Sequence, residues 1–303
     1  MKKIIIFLLL LLQIVTANAF ADSNANVNTN VNIVNVIVNN TVQLEQTGRI
    51  GRVNWGQGAQ GTIEAIGTGF PPANVQNPSQ AKALARRAAI VETYRNLAET
   101  IYGVRVDSKT TVHNLALAND VVISRVSGIV EGARIVRELP QKDGSYQVVM
   151  CVNLYGDGSV AEITMEATKP AQVQEFPQPT AISQSRPVYN YTGIIIDARG
   201  FGLEPTLSPR IYDASGRIIY GNVYINSEIA VSQGIVEYAI TPDMVERAIK
   251  GGSRAGIRPM ILKAIATKDN NCSLVISDAD ANMLLESNAS AGFLKNCAVV
   301  FAK

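Results

Sequence analysis

The stretch "QAKALARRAAIVETYRNLAETIYG", residues 80–103, decides the fold of the first half of the chain. Its apolar residues recur at helical spacing, which predicts a long amphipathic helix with Ser79 as N-cap and Gly103 at its end. Strand-like patterns flank it, "TIEAIGTG" (62–69) before and "VRVDSKTTV" (104–112) after. A helix between strands predicts packing on one face of a small sheet.

Further elements follow in the same half. "NLALANDVVISRVSGIV" (114–130) predicts a second helix. "GARIVRELPQKDGSYQVVMCVNLYG" (132–156) predicts a β-hairpin that turns at Lys142-Asp143-Gly144. The order β-α-β-α-β-β predicts an α+β domain.

The second half opens with "IIIDARGFGLEP", residues 194–205, in which an apolar run meets a Gly-x-Gly. A dinucleotide-binding loop requires a third glycine where Pro205 stands, and a helix after it. The following sequence predicts a hairpin instead. We therefore interpret Gly200 and Gly202 as a bend between two strands, beside a pair formed by Asp197 and Arg199.

The rest of this half predicts a second α+β domain. Helix starts are marked by Thr241 before Pro242 and by Ser277 before two aspartates. Strands are predicted for "IAVSQGIVEYA" (229–239), "RPMILKAIAT" (258–267) and "CAVVFA" (297–302). The predicted fold class is α+β, with two small domains, each a mostly antiparallel sheet with helices packed on one face.

Composition divides the chain into five segments. They are a signal peptide (1–21), an Asn/Val-rich and Gly-rich leader (22–60), a first domain (61–168), a Pro-rich linker (169–189) and a second domain (190–303).

The first segment has the pattern of an export signal. Lys2 and Lys3 precede an apolar run, and small-x-small cleavage sites end at Ala19 and Ala21. No later stretch is long and apolar enough to span a membrane as a helix. Lys plus Arg count 27 and Asp plus Glu 25, so removal of Lys2 and Lys3 leaves the charges balanced. This balance argues against a nucleic-acid partner.

In the leader, residues 24–43 read "NANVNTNVNIVNVIVNNTVQ". Asn alternates with Val or Ile, which favours a strand with one polar face. Two interpretations stay open, a tail that becomes ordered on contact and a strand donated to a neighbouring subunit.

Three cysteines are present. Export permits disulfides, and Cys272 and Cys297 are the candidate pair, with two separate buried thiols as the alternative. Cys151 is interpreted as a small core residue.

The sequence predicts no catalytic, cofactor-binding or metal-binding residue. His113 is the single histidine and has no nucleophile motif near it. Asp278 and Asp280 have the spacing of a calcium loop, but Met283 and Ala289 stand where that loop needs Gly and Glu. Paired carboxylates such as Asp197 and Glu204 leave a hydrolase as one alternative.

"AIGTG" (65–69), the helix of residues 80–103, "GIVEGARIV" (128–136) and "DGSYQVVMCVNLYG" (143–156) resemble the twenty-kilodalton bacterial surface lipoprotein family. The same module opens the flagellar assembly protein T family. The second half, from "YTGIIIDARGFGLEP" (191–205) onward, resembles a C-terminal domain found in such proteins.

This resemblance implies a periplasmic, non-enzymatic scaffold or assembly protein, associated with the outer membrane or the flagellar motor periphery. The implied partners are envelope proteins, including flagellar basal-body ring components, and further copies of the chain. We expect an interaction surface around Asp197, Arg199, Arg210 and Arg254. The alternatives are a binding module for a cell-wall glycan or small ligand, and the hydrolase.

Overall fold

A computed structural model of the protein describes residues 50–56, 61–180 and 190–303. The predicted signal peptide and the alternating leader segment lie outside these residues, as do residues 181–189 of the predicted linker. The α+β class is confirmed in two regions, an N-terminal region through residue 168 and a C-terminal region from residue 190.

An antiparallel sheet forms the base of the N-terminal region. Its strands are β1 (Gly51–Asn54), β2 (Thr62–Gly69), β3 (Arg134–Pro140) and β4 (Tyr146–Asn153). They lie in the order β1-β2-β4-β3. The predicted strand at 62–69 and the predicted hairpin, β3–β4, are confirmed.

Helix α1 (Pro78–Tyr102) packs on this sheet and ends at Gly103 as predicted. Its N-cap is Asn77, and the prediction of Ser79 is wrong. The Asn77 side-chain oxygen accepts the backbone N–H of Ser79 (3.0 Å), and Pro78 occupies the first helical position.

The contact between α1 and β2 depends on two glycines. A Cβ atom on Gly69 would lie 2.0 Å from the carbonyl oxygen of Ala85, and one on Gly67 would lie 2.4 Å from the backbone nitrogen of Thr93. Neither distance is possible between real atoms, so α1 rests directly on the main chain of β2.

Helices α2 (Val112–Ala118) and α3 (Asp120–Glu131) stand where one helix was predicted. Asn119 between them has an extended backbone, which ends α2, and its side chain accepts a backbone N–H from the first turn of α3 (3.0 Å). Helix α4 (Val160–Ala167), capped by Ser159, was not predicted.

The predicted strand at 104–112 is wrong. The Asp107 carboxylate accepts the backbone N–H groups two and three residues further on, at 2.8 and 2.9 Å, and this closes a turn. Only an isolated bridge between Arg105 and Thr111 remains.

The C-terminal region combines two sheets with helices. In chain order it contains β5 (Gly193–Asp197), β6 (Ile211–Tyr212), β7 (Ile218–Tyr220), α5 (Ser227–Gln233), β8 (Glu237–Ala239), α6 (Pro242–Ile249), β9 (Pro259–Lys263), β10 (Ala266–Lys268), β11 (Ser273–Val275), α7 (Asp278–Ala291) and β12 (Val299–Ala302).

The main sheet of this region has the order β8-β12-β5-β9, and every pair in it is parallel. The smaller sheet, β10-β11-β6-β7, is mixed. The expectation of mostly antiparallel pairing therefore describes the N-terminal sheet but not this main sheet. The run Ile194-Ile195-Ile196 in β5 accounts for the parallel pairing. Central strands of a parallel sheet are buried on both faces and are therefore apolar at consecutive positions.

Local sequence signals predict the helix starts of this region correctly but not the extent of its strands. The caps Thr241 and Ser277 are confirmed. The pattern at 229–239 is not one stretch of strand, because α5 occupies its first part and only β8 remains. The pattern at 258–267 divides into β9 and β10.

The two regions share one apolar core. Trp55, next to β1, packs edge-to-face on Tyr238 of β8 with ring centroids 5.6 Å apart, and Tyr238 packs likewise on Phe301 of β12 at 5.9 Å. The N–H of Gly156 donates to the carbonyl oxygen of Val231 (2.8 Å). The described residues accordingly belong to one compact unit.

The first part of the predicted linker lies against the C-terminal region. Residues 169–180 contain no helix or strand. Phe176 nevertheless stacks on Tyr220 at 6.4 Å and contacts Tyr224 at 5.1 Å. Arg217 also donates to the carbonyl oxygen of Gln178 (2.8 Å).

Replacing Gly69 with Ala will destabilise the protein by about 1–3 kcal/mol, because the new methyl group overlaps the main chain of α1. The matched control is Gly128→Ala on α3, where nothing lies within 4 Å of the added Cβ. There alanine will raise stability by about 0.5–1 kcal/mol through helix propensity. Urea unfolding of both variants checks the pair, and equal effects would contradict the close contact.

Candidate functional site

The stretch of residues 194–205, which was compared above with a dinucleotide-binding loop, begins in β5 and continues past its carboxyl end. Gly200 and Gly202 have φ angles of 86° and 65°, and the N–H of Phe201 donates back to Ala198 (3.2 Å). The chain then runs to β6 with no helix between them. A phosphate has no helix N-terminus to bind here, and the glycines form a bend.

Asp197 and Arg199 form an ion pair at this bend. Arg199 donates from Nε to Oδ1 (2.9 Å) and from Nη2 to Oδ2 (2.7 Å). These hydrogen bonds hold the pKa of Asp197 below its usual value, and the positive charge of the neighbouring Lys263 acts in the same direction. The Arg199 side chain is 56% exposed, so this pair lies at the surface.

The same edge of the sheet exposes apolar side chains. Strand β9 is the outer strand beside β5, and it pairs Ile261 with Ile195 and Lys263 with Asp197. Helix α6 packs over Ile195 and the strands beyond it, but Ile261 stays 53% exposed. Ile257 and Ile265, which flank β9, are 86% and 51% exposed. We use the name β9 surface for the set Asp197, Arg199, Ile257, Ile261, Lys263 and Ile265.

The isoleucines of this surface were missed in the sequence. They recur every fourth residue, and Ile261 lies in the continuous apolar run Met260-Ile261-Leu262, which is typical of a strand buried on both faces. That pattern predicts a strand correctly but does not reveal that β9 is the last strand of its sheet.

Arg254 is not part of this surface, and its assignment there is wrong. Its side chain is 9% exposed and lies beside Glu237, which is 1% exposed, with Nε 3.6 Å from Oε2. The guanidinium also donates to the carbonyl oxygens of Gln233 (2.6 Å) and Gly234 (2.8 Å). Arg254 therefore fixes the main chain that joins α5 to β8.

Arg210 lies in a different place, at the junction of the two regions. It donates to the Tyr212 hydroxyl (3.3 Å), which in turn donates to Asp269 (2.8 Å). The hydrogen bond with Tyr212, and the charges of Asp269 and Asp107, raise the pKa of Arg210.

The junction encloses a polar cavity of about 250 Å³. Its wall combines the turn of residues 107–110 with Ser208, Arg210, Asp269 and Ser273. Next to it, Asp269, Asn270 and Asn271 have φ angles of 56°, 54° and 62°, so three successive non-glycine residues adopt left-handed backbone. Such strain is held in place by surrounding contacts and concentrates at functional sites.

A second cavity, of about 330 Å³, lies between α3, α4 and the end of β4. Its two arginines are engaged by the protein itself. Arg125 is paired with Glu162 (3.3 Å) and Glu166, and Arg134 donates to Asn153 (3.2 Å). We assign no ligand to it.

The proposed bridge between Cys272 and Cys297 is not formed. Each thiol has its own environment: Cys272 Sγ accepts from Nη1 of Arg105 (3.2 Å), and Cys297 contacts the Tyr220 hydroxyl. Burial raises the pKa of both thiols. Cys151 is likewise a free, buried thiol in β4.

Within the described parts of the chain, no group of three or more His, Cys, Asp or Glu side chains is placed to hold a metal. His113 is exposed and packs edge-on to Tyr102, with centroids 5.9 Å apart. Asp278 and Asp280 lie in the first turn of α7, where Ser277 is the N-cap. None of the helices built from the described residues is both long and apolar enough to cross a membrane.

These features define an α+β protein whose C-terminal region contains a parallel sheet with one exposed apolar edge. Residues 193–303, which hold that whole sheet, match the family described as the second domain of Treponema pallidum Tp0624. The match does not extend to the N-terminal region. No curated protein matches the chain.

Replacing Arg254 with Ala will destabilise the protein by about 3–5 kcal/mol, because Glu237 is left as a buried charge without its partner. Arg199→Ala, which removes the exposed pair, will cost less than about 1 kcal/mol. Chemical denaturation at neutral pH separates the two, and a small effect at Arg254 would contradict a stabilising role for the buried pair.

Proposed function

We propose that the protein is an exported, non-enzymatic assembly or scaffold protein of the cell envelope. The β9 surface is the single observation that carries this proposal. Clustered exposed isoleucines on a sheet edge are unusual in a protein that has no partner, and such patches mark interaction sites. The ion pair of Asp197 and Arg199 gives this surface a polar rim, as protein interfaces have.

The proposed location and partners are supported by features of the sequence. The predicted export signal supports a location beyond the inner membrane, and the resemblance of residues 61–168 to surface lipoproteins and flagellar assembly proteins supports a periplasmic site. The proposed partners are outer-membrane or flagellar basal-body ring components and further copies of the chain.

A photo-reactive amino acid at position 261 tests the proposal in intact cells. Because Ile261 lies in the centre of the β9 surface, we expect crosslinked adducts that contain envelope proteins or a second copy. The control position is Lys295, an exposed residue after α7 and outside this surface. Absence of adducts at 261, or equal adducts at both positions, would refute an interaction through β9.

The junction cavity supports a second candidate function, binding of a small polar ligand such as a cell-wall glycan. Hydroxyl groups and charges of both signs line it, which suits a polyhydroxylated molecule. Arg210→Ala will then reduce retention on purified peptidoglycan at least fivefold, while Arg199→Ala leaves retention unchanged. No retention of the unaltered protein removes this candidate.

A further inference from the structure

Strand β9 has one long side that no other strand occupies among the described residues, because it ends the order β8-β12-β5-β9. The N–H of Ala264 donates to the carbonyl of Asp197 (2.9 Å). Alternate residues of a parallel edge strand bond to its neighbour, so the even-numbered residues of β9 face β5. The main-chain N–H and C=O groups of Ile261 and Lys263 therefore point toward the open side.

The side chains of β9 suit an added strand with one apolar face. Met260 and Leu262, on one face, are buried in the shared core. Ile261, on the other face, is exposed beside the buried Ile195. An apolar side chain of an incoming strand placed next to Ile261 would extend this apolar row and remove it from water.

Other sheet edges in the described parts of the chain are less suited to pairing. Strand β3 has an irregular register between Ile135 and Arg137 and exposes Arg134. A register irregularity of this kind discourages an added strand. Strand β8 has only three residues, all of them buried, and β1 has four. The longest regular edge is β9.

The leader segment of residues 24–43 has the matching pattern. Asn occupies every second position from 24 to 32, with Ala, Val or Thr between, and residues 24–43 contain no Asp, Glu, Lys or Arg. Paired with an edge, such a sequence presents its apolar side chains to one face and its amides to the other. It contains no proline, so each of its residues keeps the N–H that a ladder requires.

We infer that residues 24–43 of one copy add as a strand to the open edge of β9 in a second copy. This inference rests on the assembly role proposed above and names the partner of the β9 surface. The contact joins two different parts of the chain, so it repeats from copy to copy and generates a ring or a filament. Main-chain hydrogen bonds would supply the affinity of the added strand. The row of apolar side chains at Ile261 would fix its register.

The test measures self-association of the full mature chain by sedimentation. Ile261→Pro removes an N–H that points to the open edge and none that bonds to β5, so we expect association to weaken at least tenfold. Ile261→Val keeps both the N–H and a branched apolar side chain and is the matched control, with association within twofold of the original. Deletion of residues 24–43 should leave monomers.

Two further measurements apply if Ile261→Pro fails to fold. Val31→Pro with Val36→Pro changes only the leader and should weaken association to the same extent. A synthetic peptide of residues 24–43, added to the deletion variant, should slow amide hydrogen exchange at Ile261 and Lys263. A peptide of the same composition without the alternation should not.

The outcomes separate the two proposals. Assembly that persists in the deletion variant and the leader variant overturns the strand inference and leaves the scaffold proposal standing. A monomeric protein that also gives no adducts in cells overturns both. Protection of Ile261 that depends on the leader in a monomeric protein overturns the second copy as the donor.

Discussion

Burial of both faces of β5 and β12 constrains the rest of the C-terminal region. Their side chains alternate between the core shared with the N-terminal region and the underside of α6, so Ile195 and Val300 are as inaccessible as the residues beside them. Helix α6 covers these strands and β8, but it leaves Ile261 of β9 exposed. The outer strand β9 is therefore buried through Met260 on one face and exposed through Ile261 on the other. The exposed apolar edge is a direct result of how far one short helix reaches.

The shared core makes the two regions interdependent. Trp55 belongs to the chain next to β1, but its ring packs on Tyr238 and, through it, on Phe301. Loss of either region would expose these aromatic faces to water, at a cost that scales with the apolar area exposed. The junction cavity is consequently bordered by two segments that are fixed by the same core, and its shape depends on both.

Sequence patterns predicted elements whose causes are local. Thr241 with Pro242 and Ser277 define helix starts through their own side chains, and the hairpin turn at Asp143 is equally local. Long-range effects were not predictable in the same way. The burial of Arg254 depends on Glu237 and on carbonyl groups that the fold brings to it. No spacing in the sequence indicated that pairing.

The candidate site shows the same limit. The bend at Gly200 and the pairing of Asp197 with Arg199 lie within six residues, and reasoning from the sequence reached both. That β9 forms the edge depends on strand order, which is set by the pairing of β5 with β12 and β9. The apolar run Met260-Ile261-Leu262 is typical of a central strand buried on both faces, so the sequence pattern did not indicate an edge strand.

The parallel pairing of β5 has a consequence for the time course of folding. The partner strands of β5 are distant in sequence. Strand β12 follows β5 by about a hundred residues, and β9 follows β5 by roughly sixty. Contacts of such long sequence separation form slowly, because the chain must close a large loop before it gains them. In the N-terminal sheet only the hairpin β3–β4 has contacts of short sequence separation, and so this hairpin can form first. Until the last strand inserts, three consecutive isoleucines of β5 remain accessible to other chains, and this interval is when a newly made molecule is most exposed to aggregation.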